Sequence, residues 1–340
     1  MMNHHTHKSW SRREFLSAAA LAGTGTLLGW QRESFAAEPP PETTKIRLTH
    51  SGVLCIAPLY AAEEFLRNEG FTEVQYLRKG RVEANKALAS GEAQITMGFN
   101  GNLSVQVDAG DPVVILAGVH PGCYELFSEE QIRSVRDLKG KSVAVTDLGS
   151  GRHVFLASLL THVGLNPRKD VKFVTYPPPE AMRLFIEGKI DAFMANPPEP
   201  QELRAKKIGH VVVNSMMDKP WSQYFCCVLA GNREFVRKNP VATKRALRAI
   251  LKAAEFCARE PDRVARLLVD KGYTKNYGYA LQTLKEMPYD KWHEYDLEDT
   301  VRFYALRLNE AGMIKSSPQK IIAQGTDWRF LKELKKELKT

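Results

Sequence analysis

Thr146-Asp147-Leu148-Gly149-Ser150-Gly151-Arg152-His153 is the stretch from which the fold is read. A short apolar run, Ser142 to Val145, precedes it. Phe155, Leu156, Leu159, Leu160 and Val163 follow at helical spacing. The stretch is therefore a strand–loop–helix turn with Gly-Ser-Gly at the helix start. Such a turn points backbone N–H groups, a serine hydroxyl and the positive end of a helix dipole into one small space, which is chemistry for holding an anion. The same residues also read as a plain turn with Ser150 capping the helix. The surrounding chain decides what that space is for.

Upstream, strands at Ile46–Thr49, Val74–Leu77, Ile95–Gly98 and Val113–Val119 alternate with helices. The first helix carries Pro58 in its opening turn and an apolar face of Leu59, Ala62, Phe65 and Leu66, and Gly70 ends it. Val82–Leu88 is the second helix, and the third reaches Ala109. Downstream of the opening stretch come strand Val171–Val174, helix Glu180–Glu187, and strands Ile190–Met194 and Val211–Val213. Tyr224–Leu229 reads as a strand returning to the first unit. From Asn239 the pattern is helical: Ala242–Arg259, Asp262–Lys271, Tyr277–Glu286, Leu297–Ala311 and Trp328–Lys339. The alternation predicts an α/β chain of two doubly wound, mostly parallel units, the second inserted into the first, with C-terminal helices. Residues 45–120 and 228–340 form one lobe and residues 121–227 the other, joined by hinge strands near Val119 and Leu229.

In such sheets ligands bind beyond the C-terminal ends of the strands. The predicted cleft loops are Ser51–Cys55, Arg78–Arg81, Phe99–Asn102, Gly122–Glu125, Gly149–His153, Tyr176–Pro179 and Asn196–Glu199. The candidate ligand-binding residues on and beside them are Val53, Leu54, Cys55, Asn100, Gly101, Tyr124, Gly149, Ser150, Gly151, Arg152, His153, Pro178, Asn196 and Tyr224. Arg152 offers a guanidinium fork for a carboxylate, sulfonate or phosphate. The asparagines suit polar ligand groups and equally suit turns. Tyr124 and Tyr224 suit stacking on a ligand and equally suit core packing.

The 340-residue chain has a formal charge of +9. Beyond residue 36 there are 44 basic and 37 acidic residues, a mild and dispersed +7. That balance suits an anionic solute, and no basic run interleaved with aromatics points to nucleic acid. Ser11-Arg12-Arg13-Glu14-Phe15-Leu16, then an apolar small-residue run and Ser34-Phe35-Ala36, reads as a twin-arginine signal peptide spanning residues 1–36. It predicts export by the twin-arginine translocase to the periplasm. Residues 37–44, rich in proline, read as a tether. Of the five cysteines, Cys257 falls on an apolar helix face. Cys55 and Cys123 fall on cleft loops, and Cys226-Cys227 on the returning strand. A Cys123 bridge to one of that pair fits an oxidising compartment, and strand alternation sends only one of the two toward the cleft. No Cys-x-x-Cys or His-x-x-x-His spacing marks a zinc site, so no metal is expected.

Four motifs in order carry a family resemblance. Val135 to Val145 is similar to the v-x-D-L-K-G-K-x-V-A-V segment that opens the second lobe of solute-binding proteins. Gly149-Ser150 with His153 resembles the Gly-Ser-x-x-His helix start of the nitrate/sulfonate/taurine group. Glu187 to Phe193 and Leu88 to Ile95 resemble that group's two strand motifs. The resemblance spans residues 45–260 and extends to the thiamine-pyrimidine synthases. It implies a type II periplasmic-binding-protein fold and a monomer that closes on a small, anionic organic solute. That monomer delivers the solute to an ABC permease, with no cofactor and no catalysis. A pyrimidine-precursor synthase of the same fold and a periplasmic sensing subunit are the alternatives. Three departures bear on the ligand: Met194 to Glu199 in place of an aromatic and an acidic residue, Pro177-Pro178-Pro179 in a cleft loop, and the extra cation Arg152.

Overall fold

The computed structural model describes residues 38–79 and 81–338, with only the backbone of residues 81 and 82. The leader read at residues 1–36 and Gly80 of the Arg78–Arg81 loop lie outside the described residues. The chain opens with β1 (Lys45–His50), a 3-10 turn at Leu54–Ile56, α1 (Ala57–Ala61) and α2 (Glu63–Asn68). Next come β2 (Glu73–Arg78), α3 (Arg81–Ala89), β3 (Ile95–Phe99), α4 (Asn100–Ala109) and β4 (Val113–Pro121). A second run follows: β5 (Glu125–Ser128), β6 (Ser142–Val145), α5 (Gly151–His162), β7 (Lys172–Thr175), α6 (Pro178–Ile186), β8 (Ala192–Ala195), α7 (Glu199–Ala205) and β9 (His210–Asn214). The chain returns through β10 (Phe225–Asn232). It ends in α8 (Arg233–Lys238), α9 (Pro240–Arg259), α10 (Pro261–Asp270), α11 (Tyr277–Glu286), α12 (Leu297–Glu310), α13 (Pro318–Gly325) and α14 (Arg329–Glu337).

These strands form two five-stranded sheets with one plan. The first has the order β2-β1-β3-β10-β4 and the second β7-β6-β8-β5-β9. In the first, β1 runs parallel to β2 and β3, and β10 lies antiparallel between β3 and β4. In the second, β6 runs parallel to β7 and β8, and β5 lies antiparallel between β8 and β9. The odd strand in each sheet is the one that has just crossed from the other. Every residue of β4 and β10 is buried, as expected of strands covered on both faces, although β4 is at the sheet's edge.

The two mostly parallel units and the return of β10 match the expectation. Strand β5 was missed, because Glu125-Leu126-Phe127-Ser128 is four residues long and carries a charge. Its pairing on both sides, rather than its composition, makes it a strand. Helix α7 starts at the end of the predicted cleft loop Asn196–Glu199, and the sequence pattern predicts neither its later residues nor α8 and α13; at six to eight residues these helices are too short for periodicity to show. The tether reading of residues 37–44 fails at Glu42. Its carboxylate accepts from the Val241 and Ala242 N–H groups (3.0 and 2.8 Å) at the start of α9, which has no side-chain cap of its own.

Between β4 and β5 the chain turns at Gly122, whose φ is +41°. A Cβ there would overlap the Met216 backbone, so the crossover needs glycine for both its conformation and its lack of volume. One hydrophobic core runs through both sheets, and a smaller cluster around Phe127, Phe185, Phe193 and Leu203 belongs to the second. No helix among the described residues is long and apolar enough to cross a membrane.

Candidate functional site

The start of α5 is built as the sequence suggested. Ser150 is its N-cap in extended conformation, and its hydroxyl oxygen accepts from the His153 N–H (3.4 Å). Gly149 has a φ of +86° with nothing within 4 Å of where a Cβ would sit, so its role is conformational. Its N–H donates to His153 Nδ1 (3.0 Å), and its carbonyl accepts from Asn102 Nδ2 (2.6 Å). Asn102 belongs to the first turn of α4, the helix that follows central strand β3.

The N-terminal turns of α4 and α5 thus meet, one from each sheet. The first N–H groups of a helix have no intrahelical acceptor and carry the positive end of its dipole. Between the two starts lies a cavity of about 40 Å³. Gly149, Ser150 and Gly151 line one wall. Thr49, Ser51, Val53, Asn85, Asn102 and the strand end Thr96–Phe99 line the other, with Cys227 among the lining residues. The Thr49 and Thr96 hydroxyls are hydrogen-bonded to each other (2.5 Å), and Asn102 Oδ1 is buried without a partner. No lining side chain is cationic, and the one ionisable group among them is the Cys227 thiol. An anion would be held there by N–H dipoles, hydroxyls and amides. The two walls also touch through the Leu54 N–H, which donates to the Pro197 carbonyl (3.3 Å).

Of the sequence candidates, Val53, Gly149, Ser150 and Gly151 line this cavity. The others are placed elsewhere. Arg152 is buried and turned inward: it donates to the Met194 carbonyl (3.1 Å), Asn196 Oδ1 (2.8 Å) and Glu199 Oε1 (2.7 Å), and lies over the Phe193 ring. Its charge is neutralised by Glu199 inside the second sheet's wall, so the guanidinium fork holds the protein and not the cleft. Asn196 is the buried middle of that network, its own N–H donating to Glu199 Oε2 (3.1 Å). The unexpected Met194–Glu199 segment is therefore the counterpart of the unexpected Arg152.

His153 turns to the outer face, edge-on to Phe173, and burial lowers its pKa. Tyr124 is stacked on Phe155 in the core (4.9 Å), and Tyr224 is stacked on Phe303 of α12 (4.0 Å). Leu54 is buried, Gly101 fits under Phe99 and Val154, and Pro178 opens α6. Asn100 is fully buried at the start of α4, and its amide has no hydrogen-bond partner in the protein. Sequence reading missed Thr49, Thr96 and Gly98. Their only signal is their place at the C-terminal ends of β1 and β3.

Behind the cavity the remaining candidate, Cys55, joins a thiol cluster. Cys55, Cys123, Cys226 and Cys227 are buried and unbridged, and His120 is buried with them. Of the adjacent pair Cys227 lines the cavity and Cys226 does not, yet Cys226 is not turned away from the thiol cluster, for a structural reason. β10 pairs Phe225 with Pro121 and Cys227 with His120, leaving Cys226 as an extra residue in a bulge. A bulge breaks the strict alternation of side chains. Both thiols therefore meet Cys123, whose Sγ lies 3.2 Å from that of Cys226. Hydrogen bonding from Cys123, then from Cys226 and Cys55, lowers the Cys227 pKa well below that of an ordinary thiol. Burial is the largest single influence and opposes a charged His120, but the neighbouring Cys227 and Cys55 together outweigh it and raise the His120 pKa.

The architecture is the periplasmic-binding-protein fold, and the chain belongs to the NMT1/THI5-like family, whose model matches residues 55–264. Among curated relatives it is similar to the nitrate/nitrite binding protein NrtA of Nostoc sp., 22% identical over 273 residues. That match takes in 71% of this chain and 60% of the relative, so the chain spans little more than half of the relative's length. Among solved structures it resembles the periplasmic nitrate-binding protein NrtA from Synechocystis PCC 6803 (TM-score 0.71, 16% identity, 88% of this chain and 90% of that one). It also resembles the alkanesulfonate-binding protein SsuA from Xanthomonas axonopodis pv. citri bound to MOPS (TM-score 0.68, 16% identity, 86% and 100%).

Proposed function

We propose that this chain is the substrate-binding component of an ABC importer and that it takes a compact oxoanion of one negative charge. The observation that carries the reading is the cavity between the starts of α4 and α5, lined by N–H groups, hydroxyls and amides with no cationic side chain. A cavity of about 40 Å³ holds about three water-sized centres, at some 10–15 Å³ each. An anion of nitrate size, or the head group of a short sulfonate or carboxylate, matches that space. Neutral hydroxyls and amides suit a weakly basic anion. The similarity to nitrate- and alkanesulfonate-binding proteins supports the same class.

The anion touches elements of both sheets and so favours the conformation in which they meet. β4 and β10 are the crossovers about which the lobes, residues 45–120 with 228–340 and residues 121–227, turn. No covalent step is needed. The reading places the folded chain in the periplasm, delivered by the twin-arginine route, and Arg12→Lys/Arg13→Lys would hold it in the cytoplasm.

The test is isothermal titration with nitrate, bicarbonate, taurine and short alkanesulfonates, against neutral and cationic analogues of equal size. One anion should bind stoichiometrically. Binding of a neutral or cationic solute in preference to every anion would overturn the reading.

A further inference from the structure

We propose that Cys55, His120 and Cys227 form a three-donor site for a thiophilic d10 cation, Zn²⁺ or Cu⁺. This goes beyond the anion reading and does not depend on it. Ligand atoms of Cys55, His120 and Cys227 lie within 4.8 Å of one another, and those of Cys123, Cys226 and Cys227 do likewise. Cys227 is common to the two groups. A tetrahedral centre with metal–sulfur bonds of about 2.3 Å needs its donors roughly 3.7 Å apart. The Cys55, His120 and Cys227 donors are therefore within side-chain adjustment of a ligand set.

The histidine carries the second, independent observation. His120 Nδ1 lies 2.9 Å from the Pro121 carbonyl and 3.2 Å from that of Gly122. A carbonyl only accepts, so Nδ1 bears a proton, and Nε2 is the atom left for a cation, which on binding takes the place of any proton there. That atom is fully buried and has no hydrogen-bond partner in the protein. A ring fixed through one nitrogen to a backbone carbonyl, with the other left open, is the usual arrangement of a metal-binding histidine. Sequence spacing hides the site because its donors come from separate segments: the 3-10 turn, the end of β4 and the β10 bulge.

The placement also gives the site a role. His120 lies on the outgoing crossover between the sheets, Cys227 on the returning one, and Cys55 on the loop after β1. A cation there ties together the three segments beneath the anion cavity, which Cys227 also lines. On binding, each donor atom that still carries a proton releases it to solvent and the metal takes its place.

The reduced, metal-free, folded chain is titrated anaerobically with Co²⁺ as the Zn²⁺ probe, and with Cu⁺ against a chromogenic chelator. One equivalent per chain is expected. For Co²⁺ it brings thiolate charge-transfer absorption and the visible bands of a tetrahedral centre; for Cu⁺ it removes metal from the chelator. Cys227→Ser and His120→Asn each weaken binding by at least ~10-fold, with folding checked by circular dichroism. Cys257→Ser, at a buried cysteine outside the cluster, leaves it unchanged and controls for loss of any core thiol. Absence of stoichiometric uptake of either metal by the folded chain overturns the proposal, as does unchanged uptake in Cys227→Ser. If His120→Asn does not fold, Cys55→Ser takes its place under the same criterion.

Discussion

Replacing Arg152 by methionine separates two accounts of the same residue. If the guanidinium faces the cleft, its loss costs ligand affinity and little stability. The structure gives the reverse. The Arg152 side chain is 4% exposed and that of Glu199 13%, and the arginine supplies three hydrogen bonds to the ends of β8 and α7. Removing one partner of a buried ion pair costs about 3–5 kcal/mol, because the other charge stays buried and uncompensated. At about 1.5 °C per kcal/mol for a chain of 340 residues, the melting temperature of Arg152→Met should fall by about 4–7 °C. Glu199→Gln in the same background removes the stranded charge while keeping an acceptor for the Asn196 N–H. The double variant should recover part of the loss, so that the two effects are not additive. Thermal unfolding by circular dichroism, without ligand, is the assay. A melting temperature within about 2 °C of wild type, with anion binding abolished, would refute the inward placement of Arg152.

Other variants probe the turn and the crossover. Ser150→Ala removes the cap of α5 and should cost about 1 kcal/mol in urea unfolding. Gly149→Ala meets only the positive φ, for about 1–2 kcal/mol. Gly122→Ala meets both a positive φ and the Met216 backbone, so it should cost more than Gly149→Ala or fail to fold. Burial holds the His153 pKa below its ordinary value of 6.5, so the unfolded chain takes up the proton first. That contribution is complete above pH ~6.5 and is lost as pH falls from there through the lower folded value. His153→Gln should flatten this part of the stability–pH curve between pH 7 and 5. An unchanged slope would mean that His153 is not the group responsible.

Most of the scaffold was legible because strands and helices long enough to show a period announced themselves. The Gly-Ser-Gly turn was legible because few residue types can make a left-handed turn and a cap in succession. Partners distant in the chain were not legible. Arg152 looked like a cleft cation because its neutralising acid, Glu199, lies 47 residues on and was itself read as part of a loop. Cys226 and Cys227 were assigned opposite faces by alternation, and a bulge that depends on β4 brings them together. Thr49 and Thr96 are ordinary strand residues until β1 and β3 lie side by side. In each case the missing information was pairing across the chain, which local pattern does not carry.

The central claim is that the space between the starts of α4 and α5 holds the anion, and Gly98 allows it to be tested without disturbing the walls. Gly98 lines the cavity on β3, its φ lies outside the left-handed region, and an added Cβ would meet no atom within 4 Å. Gly98→Val therefore fills cleft space, in a strand where valine is favoured. Calorimetric titration of wild type and Gly98→Val with the anion that binds best is the decisive comparison, at matched melting temperatures. The account predicts that wild type binds one equivalent and that the variant, equally stable, binds none. Equal affinity in the two proteins would place the ligand elsewhere and contradict it.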